Sequence, residues 1–147
     1  MFRRILVSTD GSAHSGRAIR SACRLARTCR ASLTIFHAIP RFRTPYVMEG
    51  MTYAWPSEAE YLQSTDRQGR KILASARAIA SKNGVAAKTL QAYGDDTSRA
   101  IIAAARKSRA GLIVMASHGR KGFEKLLLGS ETQKVLARTK LPVLVVR

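Results

Sequence analysis

Short apolar segments alternate with longer segments of helical periodicity, and this alternation constrains the fold more than any other feature of the chain. The apolar segments have the length of strands, while the segments between them place apolar residues three or four positions apart. Such alternation predicts an α/β domain with a mainly parallel sheet. The predicted strands are residues 3–9, 32–38, 85–92, 111–116 and 141–146, and the predicted helices are residues 12–29, 57–83, 96–108 and 130–138.

The composition is that of one globular domain, which we expect to cover residues 1–147. Apolar residues make up 46% and charged residues 24% of the chain, and 147 residues bury a core without disulfides. No apolar run approaches the roughly 20 residues that span a bilayer, and no signal-peptide core is present. We therefore expect a cytoplasmic protein with no membrane partner. Cys23 and Cys29 lie on different sides of a predicted helix without metal-ligand spacing, which favours reduced, structural thiols.

The chain is strongly basic, with 26 basic and 9 acidic residues and a formal net charge of +17. Such an excess attracts nucleic acids, acidic proteins and anionic membranes. One concentration recurs at helical spacing, and we name it the arginine stripe: Arg17, Arg20, Arg24 and Arg27. It is interpreted as the solvated face of an amphipathic helix, with a partner-binding surface as the alternative. Because zinc-finger, RRM and KH motifs are missing, nucleic acid is expected to associate only through nonspecific charge that salt screens.

Residues 40–56 interrupt the alternation with an irregular loop. The loop holds three of the four prolines, and aromatic residues concentrate between Phe42 and Tyr61. Long irregular loops in compact domains are often functional. Two interpretations stand equally: a lid or docking surface for an unknown protein partner, or an excursion whose aromatic side chains pack onto the neighbouring helix.

The residues with the clearest chemistry follow the predicted strands. Ser117-His118-Gly119 ends the fourth strand, and nine residues separate Gly119 from Gly129-Ser130, which precede a helix. Glycine amides and a hydroxyl in this arrangement suit an anion, above all a nucleotide phosphate. The first strand ends in Thr9-Asp10-Gly11-Ser12, and ligands of open α/β sheets bind beyond the carboxyl ends of the strands. If the two strands adjoin, their loops face each other across one crevice. The second strand ends nearby at His37-Ala38-Ile39, whose backbone could read a purine edge, so the three segments would form one composite site.

The spacing of the glycines leads to a family resemblance. This chain has Ala116, two residues, Gly119, nine residues, and then Gly129 followed by Ser130. Further characteristic segments are residues 5–12, 36–38, 94–95, 128–132 and 141–146. Together they make the chain similar to the universal stress protein family over essentially all 147 residues. Nucleotide-binding members of that family show the same spacing, with a glycine where this chain has Ala116.

The resemblance implies a flavodoxin-like three-layer α/β/α sandwich whose five-stranded, mainly parallel sheet has the order 3-2-1-4-5. It also implies a stress-response factor that binds ATP with Mg²⁺ and is not an enzyme, and a homodimer paired through Val143–Val146. By resemblance, Asp10 and Ala38 border the base, Met115 and Ala116 line the sugar and phosphate side, and the glycine loops hold the phosphates. The full set of expected contacts is Thr9, Asp10, Ala38, Met115, Ala116, Ser117, His118, Gly119, Gly129, Ser130, Glu131 and Thr132.

Several of these residues have a structural alternative. Ser130 and Gln133 fit a capping box, so Ser130 is expected to cap its helix when no ligand is bound. Asp10-Gly11-Ser12 fits an ordinary turn, and His118 is interpreted as a turn residue. His14 and His37 are interpreted as structural. If the position of Ala116 required a positive φ, the alanine would be strained by roughly 1–2 kcal/mol.

Motifs of the common nucleotide and hydrolytic enzymes are missing. The chain has no G-x-x-x-x-G-K-[ST] loop, no G-x-S-x-G elbow and no H-E-x-x-H site. No general base stands out, although slow hydrolysis of bound ATP is conceivable. The alternatives to a nucleotide-responsive factor are therefore a non-nucleotide interaction module of the same fold and a weak ATPase.

Overall fold

The computed structural model describes residues 2–43, 56–118 and 128–147. Every predicted strand and helix is present, and the ends lie within two residues of the predicted ones. The strands are β1 (Arg4–Ser8), β2 (Ser32–Pro40), β3 (Ala87–Gly94), β4 (Leu112–Ala116) and β5 (Val143–Val146). The helices are α1 (Ala13–Cys29), α2 (Glu58–Lys82), α3 (Thr97–Lys107) and α4 (Ser130–Arg138).

The five strands form one parallel sheet in the order β3-β2-β1-β4-β5, which confirms the predicted flavodoxin-like arrangement. β1 is central because β2 pairs with one of its sides and β4 with the other. β4 is buried along most of its length, as its apolar sequence predicts. β5 lies at an edge, where Pro142 directly before it opens the strand without costing an interior ladder hydrogen bond.

Helices cover both faces of the sheet. α1 and α2 pack against one face, and α3 and α4 pack against the other. α1 buries an apolar face that includes Ala18, Ile19 and Ala22, while the whole arginine stripe is exposed. The prediction of an amphipathic helix is therefore confirmed. Cys23 is buried and Cys29 is half-buried, both as free thiols, and burial raises the pKa of the Cys23 thiol.

Side-chain caps begin three of the four helices, and the fourth departs from its prediction. Ser12, Ser57 and Asp96 each accept a hydrogen bond from the first turn of α1, α2 and α3. The expectation that Ser130 caps α4 is wrong: Gly129 occupies the cap position without a side-chain bond, and Ser130 is the first helical residue. The physical reason is a contact outside the helix, because the Gly129 N–H donates to the Ser117 carbonyl at 2.7 Å.

Two loops that enter the sheet contain an arginine in the left-handed backbone region. Arg30, between α1 and β2, has a φ of 51°, and Arg109, between α3 and β4, has a φ of 52°. Glycine is the residue that this conformation favours after a helix, because its backbone meets no Cβ clash there. Two arginines in this conformation flank the start of β1.

The irregular loop predicted at residues 40–56 is described only at its two ends. Residues 44–55 lie outside the described residues, and so do the lid and docking interpretations that depend on them. At the beginning of the loop, the ring of Phe42 lies 5.3 Å from the ring of Tyr61 on α2. The Tyr61 hydroxyl donates to the Pro40 carbonyl at 2.7 Å, so this part of the loop packs onto α2. No helix among the described residues has both the length and the apolar character needed to cross a membrane.

Candidate functional site

A cavity of about 540 Å³ opens where the order of the strands reverses. Its walls come from the carboxyl ends of β1, β2 and β4, the beginning of α3 and the amino end of α4. Open α/β sheets bind ligands at this position because the connections leaving the two central strands diverge there. The volume lies within the range of small-molecule sites, about 300–1,000 Å³.

Most of the residues predicted from the sequence line this cavity. Those that line it are Thr9, Asp10, Ala38, Met115, Ala116, His118, Gly129, Ser130, Glu131 and Thr132. Gly119 lies outside the described residues. Ser117 is described but does not line the cavity.

Hydrogen bonds order the turn that follows β1. The Thr9 N–H donates to the Phe36 carbonyl at 2.9 Å, and the Thr9 hydroxyl lies 2.9 Å from the hydroxyl of Ser15. An Asp10 carboxylate oxygen accepts the Ser12 N–H at 2.9 Å, which closes the turn into α1. The turn interpretation of Asp10 is thus confirmed. Because Asp10 also lines the cavity, the turn and a ligand-binding role are compatible.

His37 ties the end of β2 to the end of β1. Its Nδ1 lies 2.8 Å from the Thr9 carbonyl oxygen. A carbonyl only accepts, so Nδ1 carries a proton and donates it. The structural interpretation of His37 is confirmed, but the ring also lines the cavity beside Ala38. In the neutral ring, the remaining Nε2 is an acceptor.

Ala116 is accommodated without backbone strain. It is the last residue of β4 and pairs with Val146 of β5. Among the described residues other than glycine, only Arg30 and Arg109 have a positive φ, so Ala116 has ordinary strand geometry. Its carbonyl accepts the hydroxyl of the buried Thr132 at 3.0 Å, which fastens α4 to β4.

Ser117 and His118 connect β4 to the neighbouring segments. The Ser117 N–H donates to the Val146 carbonyl at 2.7 Å, and its hydroxyl lies 3.0 Å from Nδ1 of His118. These bonds join the end of β4 to β5 and to the next residue along the chain. His118 faces the cavity, and its buried Nε2 has no hydrogen-bond partner within residues 2–43, 56–118 and 128–147. His118 therefore brings a ring nitrogen that can hydrogen-bond to a ligand, which the turn interpretation does not predict.

The beginning of α4 is packed tightly against the end of β4. A Cβ on Gly129 would lie 3.1 Å from the Ser117 carbonyl oxygen and 3.4 Å from the His118 Cα, so this approach requires glycine. The Gly129 amide is already used on Ser117, which corrects the expectation that it is free for a phosphate. The first-turn amides of Ser130, Glu131 and Thr132 have no partner inside the helix, and the helix dipole favours an anion beside them.

Glu131 places one carboxylate beside these amides. Its Oε1 accepts a hydrogen bond from Nζ of Lys134 at 2.8 Å, and this hydrogen bond raises the pKa of Lys134. The ion pair partly offsets the negative charge that Glu131 would present to an anion. Glu131 also suits a helix beginning on its own account, because its charge opposes the dipole.

Sequence reasoning missed part of the wall. The additional lining residues are Ser8, Ser15, His37, Thr97 and Ile101. Ser15 follows the cap Ser12 by three positions, which is the one local signal that a hydroxyl would return toward the strand end. Thr97 and Ile101 belong to α3, which reaches the cavity from a distant part of the sequence. Within the parts of the chain that the structure describes, no group of three or more His, Cys, Asp or Glu residues could hold a metal ion.

Comparisons with known proteins agree with this architecture. The model of the universal stress protein family matches residues 1–147. The universal stress protein YxiE of Bacillus subtilis is 33% identical over 149 residues, covering 100% of both chains. A solved protein of the same family from Burkholderia pseudomallei is 26% identical, with a TM-score of 0.75 over 98% of this chain and 95% of its own. The chain therefore belongs to the universal stress protein family.

Proposed function

We propose that this universal stress protein binds an adenine nucleotide, ATP first among them, in the cavity beside β1 and β4, and responds to it as a stress factor rather than as an enzyme. The observation that carries the proposal is the close approach of Gly129 to Ser117, which holds the first turn of α4 against the end of β4. This approach aims the three remaining first-turn amides at the cavity, where an anion would be favoured.

The phosphates would lie at the amino end of α4. The amides of Ser130, Glu131 and Thr132 would donate to them. The exposed Ser130 hydroxyl makes no capping hydrogen bond, so it would donate to the phosphates as well. His118, which lies beside Gly129 at the end of β4, would add a donor from the same side of the cavity. Mg²⁺ would travel with the nucleotide, held by phosphate oxygens and water, because the described part of the chain offers it no cluster of ligands.

The register of β2 supports recognition of the base. β1 ends at Ser8, opposite Phe36, and alternate residues of a strand direct their backbone groups to the same side. Ala38, two residues beyond Phe36, thus directs its N–H and C=O toward the space beyond β1. A carbonyl and an amide match the amino donor and ring-nitrogen acceptor of adenine, whereas guanine presents the opposite pattern. We expect ATP to bind in preference to GTP.

Two structural neighbours support a nucleotide of this class. One universal stress protein was solved in complex with cAMP; it is 24% identical, with a TM-score of 0.73 over 99% of this chain and 97% of its own. Another, from Archaeoglobus fulgidus, was solved in complex with dAMP; it is 19% identical, with a TM-score of 0.73. Both ligands contain adenine, a sugar and one phosphate, the parts that the strand ends and α4 would bind here.

Calorimetric titration with ATP, ADP, AMP, cAMP and GTP tests the proposal. We expect submillimolar affinity for ATP and at least tenfold weaker binding by Gly129→Ala, because the added methyl would separate α4 from Ser117. Gly16→Ala is the matched control: its Cβ would meet its nearest neighbours at 3.8 Å, an ordinary contact, so affinity should be unchanged. The proposal would be contradicted if the parent protein bound ATP no more tightly than millimolar and had the same affinity as Gly129→Ala. That result would favour a non-nucleotide interaction module.

The same preparations test for catalysis. Incubation with ATP should yield no more ADP than a protein-free control, because the chain lacks the motifs of the common nucleotide-hydrolysing enzymes. Slow turnover that Asp10→Ala abolishes would instead identify a weak ATPase.

The proposal includes a homodimer that pairs through β5. Within the described chain β5 pairs only with β4. The carbonyls of Pro142 and Val146 accept the N–H groups of Ile113 and Ser117 and so face β4, which leaves the backbone groups of Val143 and Val145 pointing to the open edge. Light scattering during gel filtration should give a dimer for the parent and for Val145→Ala. Val145→Pro, which removes an outward N–H, should give a folded monomer. A monomeric parent would overturn this part of the proposal.

A further inference from the structure

The amino end of the sheet, where the parallel strands begin, carries a second concentration of charge that the nucleotide site does not use. Six exposed basic side chains surround the start of β1, and we name them the amino-end cluster: Arg3, Arg4, Arg30, Arg106, Lys107 and Arg109. Backbone bonds fix their neighbourhood. The Arg3 carbonyl accepts the Ser32 N–H at 3.0 Å, and the Arg4 carbonyl accepts the Gly111 N–H at 2.9 Å. The cluster is therefore one surface around a single strand.

The charges of this end are unopposed. The loops and strand starts that form it contain no Asp or Glu: residues 2–4, 27–33, 82–88, 106–112 and 138–143. No cluster member forms a salt bridge with any acidic residue that the structure describes. The described acidic residues lie toward the other end of the sheet: Asp10, Glu58, Glu60, Asp66, Asp95, Asp96 and Glu131. The segregation leaves a positive field at the amino end.

Helix dipoles account for only part of the cluster. Arg106 and Lys107 lie in the last turn of α3, where a positive charge is favoured. Arg30 and Arg109 lie just beyond their helices in the left-handed region, which a glycine would occupy with less strain. A backbone preference thus opposes arginine at two positions on either side of β1. Both positions nevertheless carry a positive charge.

From this arrangement we propose that the amino end binds the phosphate backbone of a nucleic-acid duplex without reading its sequence. Five of the six side chains are arginines, whose planar guanidinium groups match phosphate oxygens with two parallel hydrogen bonds. The loops of Arg30 and Arg109 flank one strand, so their backbones are about 10 Å apart. That span is comparable with the major groove, about 12 Å wide, so guanidinium groups reach phosphates on both of its sides.

The surroundings disfavour other polyanions. The exposed large apolar residues of the described chain are Leu62, Leu136 and Leu144, and none of them belongs to the loops of this end. Phe2, the aromatic residue beside the cluster, packs against the core. The surface therefore lacks apolar groups to insert into a bilayer and aromatic rings to stack on single-stranded bases.

Fluorescence anisotropy with labelled DNA duplexes of two unrelated sequences tests the inference, at salt from about 50 to about 200 mM. We expect equal affinity for both sequences, and at about 100 mM salt at least tenfold weaker binding by the triple variant Arg30→Gln, Arg106→Gln, Arg109→Gln. Loss of those phosphate contacts should also reduce the log–log salt slope by about two to three. The matched control removes three charges from the arginine stripe, as Arg17→Gln, Arg20→Gln, Arg24→Gln, and should change that slope by less than about one.

The two triple variants have the same net charge, so the comparison separates a site from bulk charge. Equal losses in both variants would overturn the inference, as would undetectable binding by the parent. Stronger binding to phosphatidylserine-containing vesicles than to duplex at equal phosphate concentration would also overturn it. Circular dichroism and thermal melting of each variant establish that it is folded. The nucleotide proposal does not depend on this result, because the two sites lie at opposite ends of the sheet.

Discussion

The two ends of the sheet differ in how they would hold negative charge. At the carboxyl end, backbone amides of α4 and the polar side chains of Thr9 and His118 surround a cavity, and both signs of charge are present. At the amino end, exposed arginine side chains extend from short loops, and acidic residues are missing from those loops. The first end is concave and ordered by local hydrogen bonds. The second presents long side chains to solvent.

This difference follows from the geometry of a parallel α/β sheet. Each of the four described helices begins at the carboxyl end of the sheet and ends at the amino end. The positive ends of their dipoles therefore meet at the carboxyl end and the negative ends at the amino end. Acidic residues suit the first end and basic residues the second. An anion at the carboxyl end would therefore be bound by the backbone within a cavity, whereas one at the amino end would be bound by side chains on an open surface. A small nucleotide suits the first arrangement and a long polyanion the second.

A larger side chain at position 129 should give the largest difference between ligand binding at the two ends of the sheet. Leucine at this position would push α4 from Ser117, so we expect Gly129→Leu to lose about a hundredfold in ATP affinity, or about 2.7 kcal/mol. Duplex binding should change less than about twofold, because the amino-end cluster is untouched. Calorimetry and anisotropy on one preparation measure both. Parallel losses of the two activities would show that the ends are not independent.

The anchor between α4 and β4 should have the next largest effect. Thr132→Val removes the hydroxyl that donates to the Ala116 carbonyl and leaves that carbonyl without its partner, so the free energy of unfolding should fall by about 1–2 kcal/mol. Urea denaturation measures the change. Ser130→Ala is the matched control at the neighbouring position, and we expect less than about 0.5 kcal/mol because Ser130 makes no capping bond. A loss of about 1 kcal/mol in Ser130→Ala would restore Ser130 as the cap.

The start of α4 also separates the features that the sequence predicts from those that it does not. The alternation of strands and helices and the position of Pro142 are local signals, and they predicted all nine elements and the edge strand correctly. The start of α4 depends instead on a bond between Gly129 and Ser117, which crosses a loop that the local pattern does not describe. The same holds for Thr97 and Ile101, which enter the cavity wall because α3 packs beside strands distant from it in sequence. Local rules place elements, while contacts between them decide which amides and side chains a site receives.

Replacing Arg30 or Arg109 by glycine should make the fold more stable while it weakens duplex binding at the amino end. Arg30→Gly and Arg109→Gly relieve the Cβ clash but add freedom to the unfolded chain, so each should raise the free energy of unfolding by about 0.5–1 kcal/mol. Each should also weaken duplex binding. Paired urea and anisotropy measurements test this, with Arg17→Gly as the control at a helical position, where glycine should destabilise. A stability loss in both loop variants would mean that the arginine side chains support the fold.

Acidification should act at the carboxyl end through Asp96, and its effect should be the smallest of those predicted. Hydrogen bonds from Ser98 and Arg138 hold the pKa of Asp96 well below its ordinary value of about 3.9. Because the folded pKa is the lower one, the stabilisation is complete above the unfolded pKa and is lost as the pH falls below about 5 toward the folded pKa. Asp96→Asn should therefore flatten the decline of the melting temperature between about pH 5 and pH 2 while lowering it slightly at pH 7. Asp95→Asn, a change at the exposed neighbour, should keep the parent's dependence of melting temperature on pH. If it flattens that dependence as much as Asp96→Asn does, the bonds to Ser98 and Arg138 are not the cause of the acid sensitivity.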